Sequence, residues 1–140
     1  MLEFNGNIWD HKQDHICIPT NGSVKASGEC VMGRGLAFQA KQKVPGIALQ
    51  IGAAIKAHGN HFCVIGYYCA FPVKHRWWEK ADPALIAQSA RELRDIAERY
   101  PTKIFSLPRP GCGNGGLRWL EVRPMLVGLP NNIHIVDRAK

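Results

Sequence analysis

The chain has 140 residues, 46% of them hydrophobic and 21% charged, which suits one domain with its own core and excludes general disorder. No apolar run approaches the roughly 18–20 residues that span a bilayer, and the N-terminal MLEFNGNIWDHK lacks a basic start followed by an apolar stretch, so neither a membrane segment nor a signal peptide is expected. A formal net charge of +7 favours phosphate-bearing ligands, nucleic acid or acidic surfaces, although a solvated basic surface accounts for the charge alone equally well.

In chain order, His15-Ile16-Cys17-Ile18 reads as a short buried strand ending at Pro19. Gly35 to Val44 reads as a helix, with Leu36, Ala37, Ala40 and Val44 on one face. A second helix is expected from Pro45 to near Gly59, with Ile47, Ile51, Ala54 and Ile55 apolar. Phe62 to Val73 is strand material, and Gly66 divides it into two strands or a hairpin. Asp82-Pro83 is a helix start, Asp as N-cap and Pro in the first turn. That helix runs to about Tyr100, with Ile86, Ala90, Leu93, Ala97 and Tyr100 inward and Arg91, Glu92, Arg94, Asp95 and Glu98 toward water. Lys103 to Leu107 is the next strand, a helix follows from about Trp119, and Ile133 to Val136 is the last strand. Apolar strands alternating with helices argue an α/β layered sheet covered on both faces. No internal repeat or linker interrupts it, so one domain over 1–140 is expected.

The five cysteines, Cys17, Cys30, Cys63, Cys69 and Cys112, are odd in number and irregularly spaced. That pattern fits reduced thiols and a cytoplasmic protein better than a disulfide framework. His11, His15 and Cys17 cluster in sequence, as do His58, His61 and Cys63. Without a Cys-x-x-Cys these read as surface histidines, and no metal site is expected.

Two glycine-rich segments carry the functional signal. One runs from Asn21-Gly22-Ser23 through Met32-Gly33-Arg34-Gly35-Leu36-Ala37, the other is Pro108-Arg109-Pro110-Gly111-Cys112-Gly113-Asn114-Gly115-Gly116-Leu117. Each joins a strand to a helix, where backbone N–H groups and the helix N-terminus can cradle an anion. Neither has the order of a P-loop or of a clean dinucleotide-binding fingerprint, which disfavours a nucleoside triphosphatase or an ordinary dehydrogenase. Two such loops in one α/β domain place a cleft at the carboxyl ends of the strands.

Val31 to Ala37 resembles the first diphosphate loop of macrodomains, and Gly111 to Trp119 resembles the second. Between them, Phe71-Pro72-Val73-Lys74-His75-Arg76-Trp77 is similar to the matching segment of the DarG-like branch, the DNA ADP-ribosyl glycohydrolase antitoxins, which also holds the terminal ADP-ribose protein glycohydrolase. The resemblance implies a three-layer α/β/α macrodomain with a mixed sheet and ADP-ribose as ligand, with no cofactor. It implies that Asn7, in place of the usual acid and followed by Ile8, lies at the adenine. Asn21 would hold the distal ribose. The backbone of Met32, Gly33, Arg34, Gly35 and Leu36, and of Gly111, Cys112, Gly113, Asn114, Gly115 and Gly116, would hold the diphosphate. The toxin-engaging second domain of the antitoxins has no counterpart, so a solitary, monomeric macrodomain is expected.

The resemblance also makes Lys74 the catalytic residue. A neutral amine can attack the anomeric carbon of the distal ribose, or its ring-opened aldehyde, and form a Schiff-base adduct that water releases. This requires a lowered lysine pKa, for which His75 or Arg76 could supply charge, although neighbours along a strand point the other way. Pairing of Lys74 with phosphate alone is the simpler alternative. The protein-directed hydrolase has an aspartate where this chain has Gly115, whereas the DNA-directed relatives share its Gly-Gly. Lys74-His75-Arg76-Trp77-Trp78 agrees with ADP-ribosylated single-stranded nucleic acid as substrate, cations for phosphates and indoles for unstacked bases, unless the tryptophans pack against the following helix. A non-catalytic ADP-ribose reader and an ADP-ribose 1''-phosphate phosphatase using His75 are the alternatives. Cys112 is expected to be a small packing residue rather than a nucleophile.

Overall fold

The structure, a computed structural model, describes residues 1–138, so residues 139 and 140 of the expected domain lie outside the described residues. The strands are β1 (Leu2–Asn5), β2 (His15–Asn21), β3 (Cys63–Ile65), β4 (Tyr68–Lys74), β5 (Phe105–Leu107) and β6 (Ile133–Asp137). The helices are α1 (Gly35–Lys43), α2 (Ile47–His58), α3 (Pro83–Arg99) and α4 (Trp119–Leu126), with a short 3₁₀ turn at Ile8–Asp10. The six strands form one sheet in the order β1-β6-β5-β2-β4-β3. Every pairing is parallel except β3 with β4, the hairpin expected at Gly66. The sheet is therefore mixed, as the macrodomain resemblance implied.

Side-chain alternation along the strands divides the core in two. Cys17, Cys69, Phe71, Val73, Phe105, Leu107, Ile133 and Ile135 join Ile86, Leu93, Val122 and Leu126 of α3 and α4 on one face. Ile16, Ile18, Ala70 and Val136 join Ala40, Ile47, Ala48 and Ile51 of α1 and α2 on the other. The three layers follow from strands apolar on both faces, which only helices can cover on each side.

Several boundaries differ from the sequence expectation. β2 does not stop at Pro19 but continues to Asn21. Its ladder to β5 covers only His15 and Ile16, so the proline sits beyond the point where that side of the strand is paired. The second helix begins at Ile47 rather than Pro45, because Gly46 intervenes in the left-handed region. Tyr100 is not on the inner face of α3; it caps the helix and is 51% exposed. β1, with its short and exposed LEFN, carried no strand signal and forms because β6 offers it an edge to pair with.

α2 presses directly on the loop that leaves β2. A Cβ built at Gly52 would fall 1.9 Å from the Gly28 carbonyl oxygen, and Cys30 N–H donates to the Ala48 carbonyl at 2.9 Å. Gly52→Ala must therefore push that loop away, and overpacking of this kind costs about 1–3 kcal/mol. The expected result is a lower urea midpoint with an unchanged slope.

Candidate functional site

A groove of about 1140 Å³ crosses the carboxyl ends of β2, β4 and β5. Its walls bring together Asn21, Met32, Gly33, Arg34, Gly35 and Leu36 from the first loop, and Gly111, Gly113, Asn114, Gly115 and Gly116 from the second, with Lys74 between. Two segments some eighty residues apart thus face one another because β2 and β5 are adjacent parallel strands that end at the same edge of the sheet (roughly the separation of their loops in sequence). The lining carries five cationic side chains, Lys25, Arg34, Lys74, Lys80 and Arg109, against one carboxylate, Glu79. Of these, Lys80 lies outside both glycine-rich segments, and Lys25 and Arg109 lie within them without having been singled out as site residues.

The loops present unused donors. Among the described residues, no backbone carbonyl accepts from the N–H groups of Gly33, Arg34, Gly35, Leu36 and Ala37, nor from those of Gly113, Asn114 and Gly115. No side chain caps α1 at Arg34. The first turn of a helix with its amides free attracts an anion. Asn21 holds the first loop: its Nδ2 donates to the Val31 carbonyl at 2.9 Å, and its Oδ1 accepts the Ser23 N–H at 2.9 Å. The Cys30 thiol also approaches Oδ1 at 3.9 Å, and Nδ2 keeps one further N–H to donate.

Lys74 is 7% exposed, one of only four buried polar or charged side chains among the described residues. A register shift between Thr20 and Asn21 sets Thr20 opposite Pro72 but Asn21 opposite Lys74, so the bulge brings these two site residues side by side. Four successive carbonyls hold this strand end. Pro72 accepts from Ser89 Oγ at 2.7 Å, Val73 from Asp82 N–H at 2.8 Å, Lys74 from Asn60 Nδ2 at 3.0 Å, and His75 from Gly22 N–H at 3.1 Å. The amine itself donates to the Trp77 carbonyl at 3.4 Å. Burial first, and the Arg34 guanidinium second, lower the Lys74 pKa below that of a free lysine. The expectation that His75 or Arg76 supplies this charge is not met. His75 Nε2 instead pairs with Asp82 Oδ2 at 2.7 Å, toward α3, and lines no part of the groove. Arg76 lies over the Trp78 ring, 5.6 Å from its centroid.

Three sequence-predicted residues stand outside the lining: Asn7, Ile8 and Cys112. Asn7 Oδ1 accepts the Trp9 N–H at 3.0 Å and so caps the 3₁₀ turn. Ile8 is buried in the core beneath α1 and α2. The Cys112 thiol points to the Pro110 carbonyl at 3.5 Å, and burial raises its pKa against the opposing pull of Arg109. A thiol held protonated is a poor nucleophile. Trp77 and Trp78 are 53% and 61% exposed and line the groove, so they do not pack under the following helix. The clustered histidines have other partners: His11 Nε2 meets His134 Nδ1 at 2.9 Å, His15 stacks on Phe105 at 4.9 Å, and His61 pairs with Glu92. His15 is thus a packed residue rather than a free surface one.

The whole arrangement has close structural counterparts. The macrodomain of Mycobacterium tuberculosis DarG matches with a TM-score of 0.81 at 23% identity, over 100% of this chain and 99% of that one. This chain has the macrodomain fold. The structure of Thermosipho africanus DarTG in complex with ADP-ribose matches with a TM-score of 0.76 at 20% identity, over 94% of this chain and 40% of that one. In sequence, the DNA ADP-ribosyl glycohydrolase of Thermus aquaticus is 27% identical over 104 residues. That match takes in 66% of this chain, and the chain spans only 29% of the length of that curated relative. No protein-family model matches the chain.

Within this fold the second loop has no room for an acid at Gly115. A Cβ there would lie 2.5 Å from the Gly111 carbonyl oxygen, a backbone atom that cannot swing aside. The lysine's environment makes a testable statement. Arg34→Ala removes the like charge and leaves burial in place, so the Lys74 pKa should rise part of the way toward that of a free lysine. Titration of the Lys74 side-chain resonances by NMR in both proteins measures this, and an unchanged or lower value in the variant would contradict it.

Proposed function

We propose that this macrodomain binds ADP-ribose in the groove and removes it from nucleic acid, DNA above all, or from protein, with Lys74 as nucleophile. The observation that carries the reading is a buried, pKa-lowered amine in the same groove as two loops of unused backbone donors. The similarity to a DarTG structure holding ADP-ribose, and to a protein named DNA ADP-ribosyl glycohydrolase, supports it. The groove, at about 1140 Å³, is large enough for a nucleotide-sized ligand and is open to solvent along one side.

In this reading the free N–H groups of the two loops and the α1 N-terminus bind the diphosphate. The distal ribose then lies toward Asn21 and Lys74. The neutral Lys74 amine attacks the anomeric carbon; a C–N bond forms, the bond to the carrier breaks, and a proton from the new ammonium passes to the leaving group. Opening of the ribose ring, with the nitrogen lone pair expelling the ring oxygen, gives a protonated Schiff base. Water adds to that carbon, the amine departs, and the resulting aldehyde recloses as free ADP-ribose. No cofactor enters. Burial and Arg34 raise the neutral fraction of the amine at physiological pH, so the rate should rise with pH and level off above the lowered pKa.

The five cysteines are all free thiols, in keeping with a cytoplasmic location, and we take the protein to act as a monomer. Among the described residues no helix is long and apolar enough to cross a membrane.

Two variants separate nucleophile from simple cation. Lys74→Ala and Lys74→Arg should each reduce release of ADP-ribose from ADP-ribosylated single-stranded DNA by about 100-fold or more, because arginine keeps the charge but stays protonated. ADP-ribose affinity by calorimetry should change little in either. Release that survives in the arginine variant would sink the nucleophile, and tight ADP-ribose binding with no release by the parent would make the protein a reader. Gly115→Ala tests the cradle separately: the displaced loop should weaken ADP-ribose binding about tenfold, the equivalent of about one lost charge-assisted hydrogen bond.

A further inference from the structure

We propose a second activity for Lys74: it captures the aldehyde of an abasic deoxyribose in a DNA strand as a Schiff base and cleaves the strand on the 3′ side of that sugar. The proposal rests on the reading of Lys74 as a nucleophile and carries it to a substrate that holds no ADP-ribose.

The amine is buried, donates to the Trp77 carbonyl at 3.4 Å, and has no carboxylate paired with it among the described residues. A carboxylate there would hold the proton on the nitrogen; its absence leaves the neutral form accessible. The same groove holds the free N–H groups of the two glycine-rich loops. Such a site selects a pentose by two features, a phosphate on its exocyclic carbon and an anomeric carbon open to attack. The distal ribose of ADP-ribose has both. An abasic nucleotide has both as well, since its exocyclic carbon bears the 5′-phosphate and its base is gone. The same bonds separate phosphorus from the reacting carbon in the two molecules. A cradle that fixes the phosphate therefore brings that carbon equally close to Lys74. The abasic sugar also opens to a free aldehyde, so an imine forms without any leaving group.

Charge and shape admit a strand. Lys25, Lys80 and Arg109 line the groove beyond Arg34 and Lys74, and the one carboxylate of the lining, Glu79, accepts the Arg76 N–H at 2.8 Å. A chain brings a phosphate on each side of the abasic sugar to meet these cations. The groove is open to solvent along one side, so the chain does not have to be threaded.

The neutral amine adds to the aldehyde carbon, and the carbinolamine loses water to give a protonated imine. That cation acidifies the hydrogens on the neighbouring carbon. One leaves as a proton to solvent, its electron pair forms an enamine, and the enamine expels the 3′-phosphate from the next carbon. Water then hydrolyses the unsaturated imine, which frees the amine and leaves an unsaturated aldehyde on the upstream fragment. No oxidant or reductant is consumed. In ADP-ribose the corresponding carbon carries a hydroxyl, a poor leaving group, so its imine is hydrolysed without elimination.

The test is borohydride trapping of the full chain with a single-stranded oligonucleotide that contains one abasic site. The reduced link should map to Lys74 by peptide mass spectrometry, and without borohydride the strand should be cut. Lys74→Ala should lower trapping and cutting by about 100-fold or more. Protection needs no variant: saturating ADP-ribose should suppress both in the parent, and adenosine, which has no phosphate, should not. Deoxyribose 5-phosphate should also be trapped on Lys74, and deoxyribose without the phosphate at least about tenfold less, the equivalent of one charge-assisted hydrogen bond. Adducts spread over several lysines, no protection by ADP-ribose, or equal trapping of plain deoxyribose would overturn the activity. So would trapping of the free sugar phosphate but not of the strand, or an adduct with no cut. Release of ADP-ribose from ADP-ribosylated DNA is measured beside these. If it persists, only the strand cleavage falls; if release and trapping are both missing, Lys74 falls as nucleophile in both reactions.

Discussion

Everything in this molecule depends on four parallel strands, β2, β4, β5 and β6, whose side chains are buried on both faces. Parallel pairing requires each strand to return through a crossover, and burial of both faces requires helices on each side to cover strands such as Ile16-Cys17-Ile18. The crossovers send the loops after β2, β4 and β5 to one edge of the sheet. The groove is the space those loops leave. Its position is a consequence of chain direction, and its chemistry is a consequence of which residues the loops contain.

Lys74 illustrates how the core and the site are coupled. It is the last residue of a strand whose preceding side chains, Phe71 and Val73, are buried under α3. Its backbone is held by donors from α3, from the start of α3, from the segment before β3 and from the loop after β2. Rigid support of this kind lowers the entropy cost of holding the amine in one position in the groove, which the proposed reaction would require. Burial lowers the pKa of this amine and Arg34, from the first loop, lowers it further, so a residue distant in sequence acts on the lysine's proton equilibrium.

The two glycine loops differ in what limits them. The first is tied down by side chains, with Asn21 bonded to Val31 and Ser23, and by the pressure of α2 through Gly52. The second is closed by its own backbone, with Leu117 N–H on the Gly111 carbonyl at 2.9 Å and Gly115 folded against Gly111. A loop closed in this way has no space for an acidic side chain at Gly115, so the absence of that acid is built into the backbone.

Much of the fold was legible in the residues themselves. The apolar runs, the Asp82-Pro83 helix start and the Gly66 division report local preferences that the tertiary structure has no reason to overrule. The two loops and Lys74 were legible as well, because glycine runs after strands and a lysine within a recognisable motif are properties of contiguous sequence. β1 was not, since an exposed LEFN becomes a strand only when β6 lies beside it. Nor was the partner of Lys74: His75 and Arg76 are adjacent in the chain, but the strand turns them away, and Arg34 arrives from another loop. Lys80 joined the groove in the same way, from outside both glycine-rich segments. By itself the sequence determined the elements other than β1, their alternation and the chemical groups on the two loops. Only the tertiary structure decided which charges meet and which side chains face the groove, because electrostatic neighbours are set by distance in space, and strand order and the bulge at Lys74 create that distance.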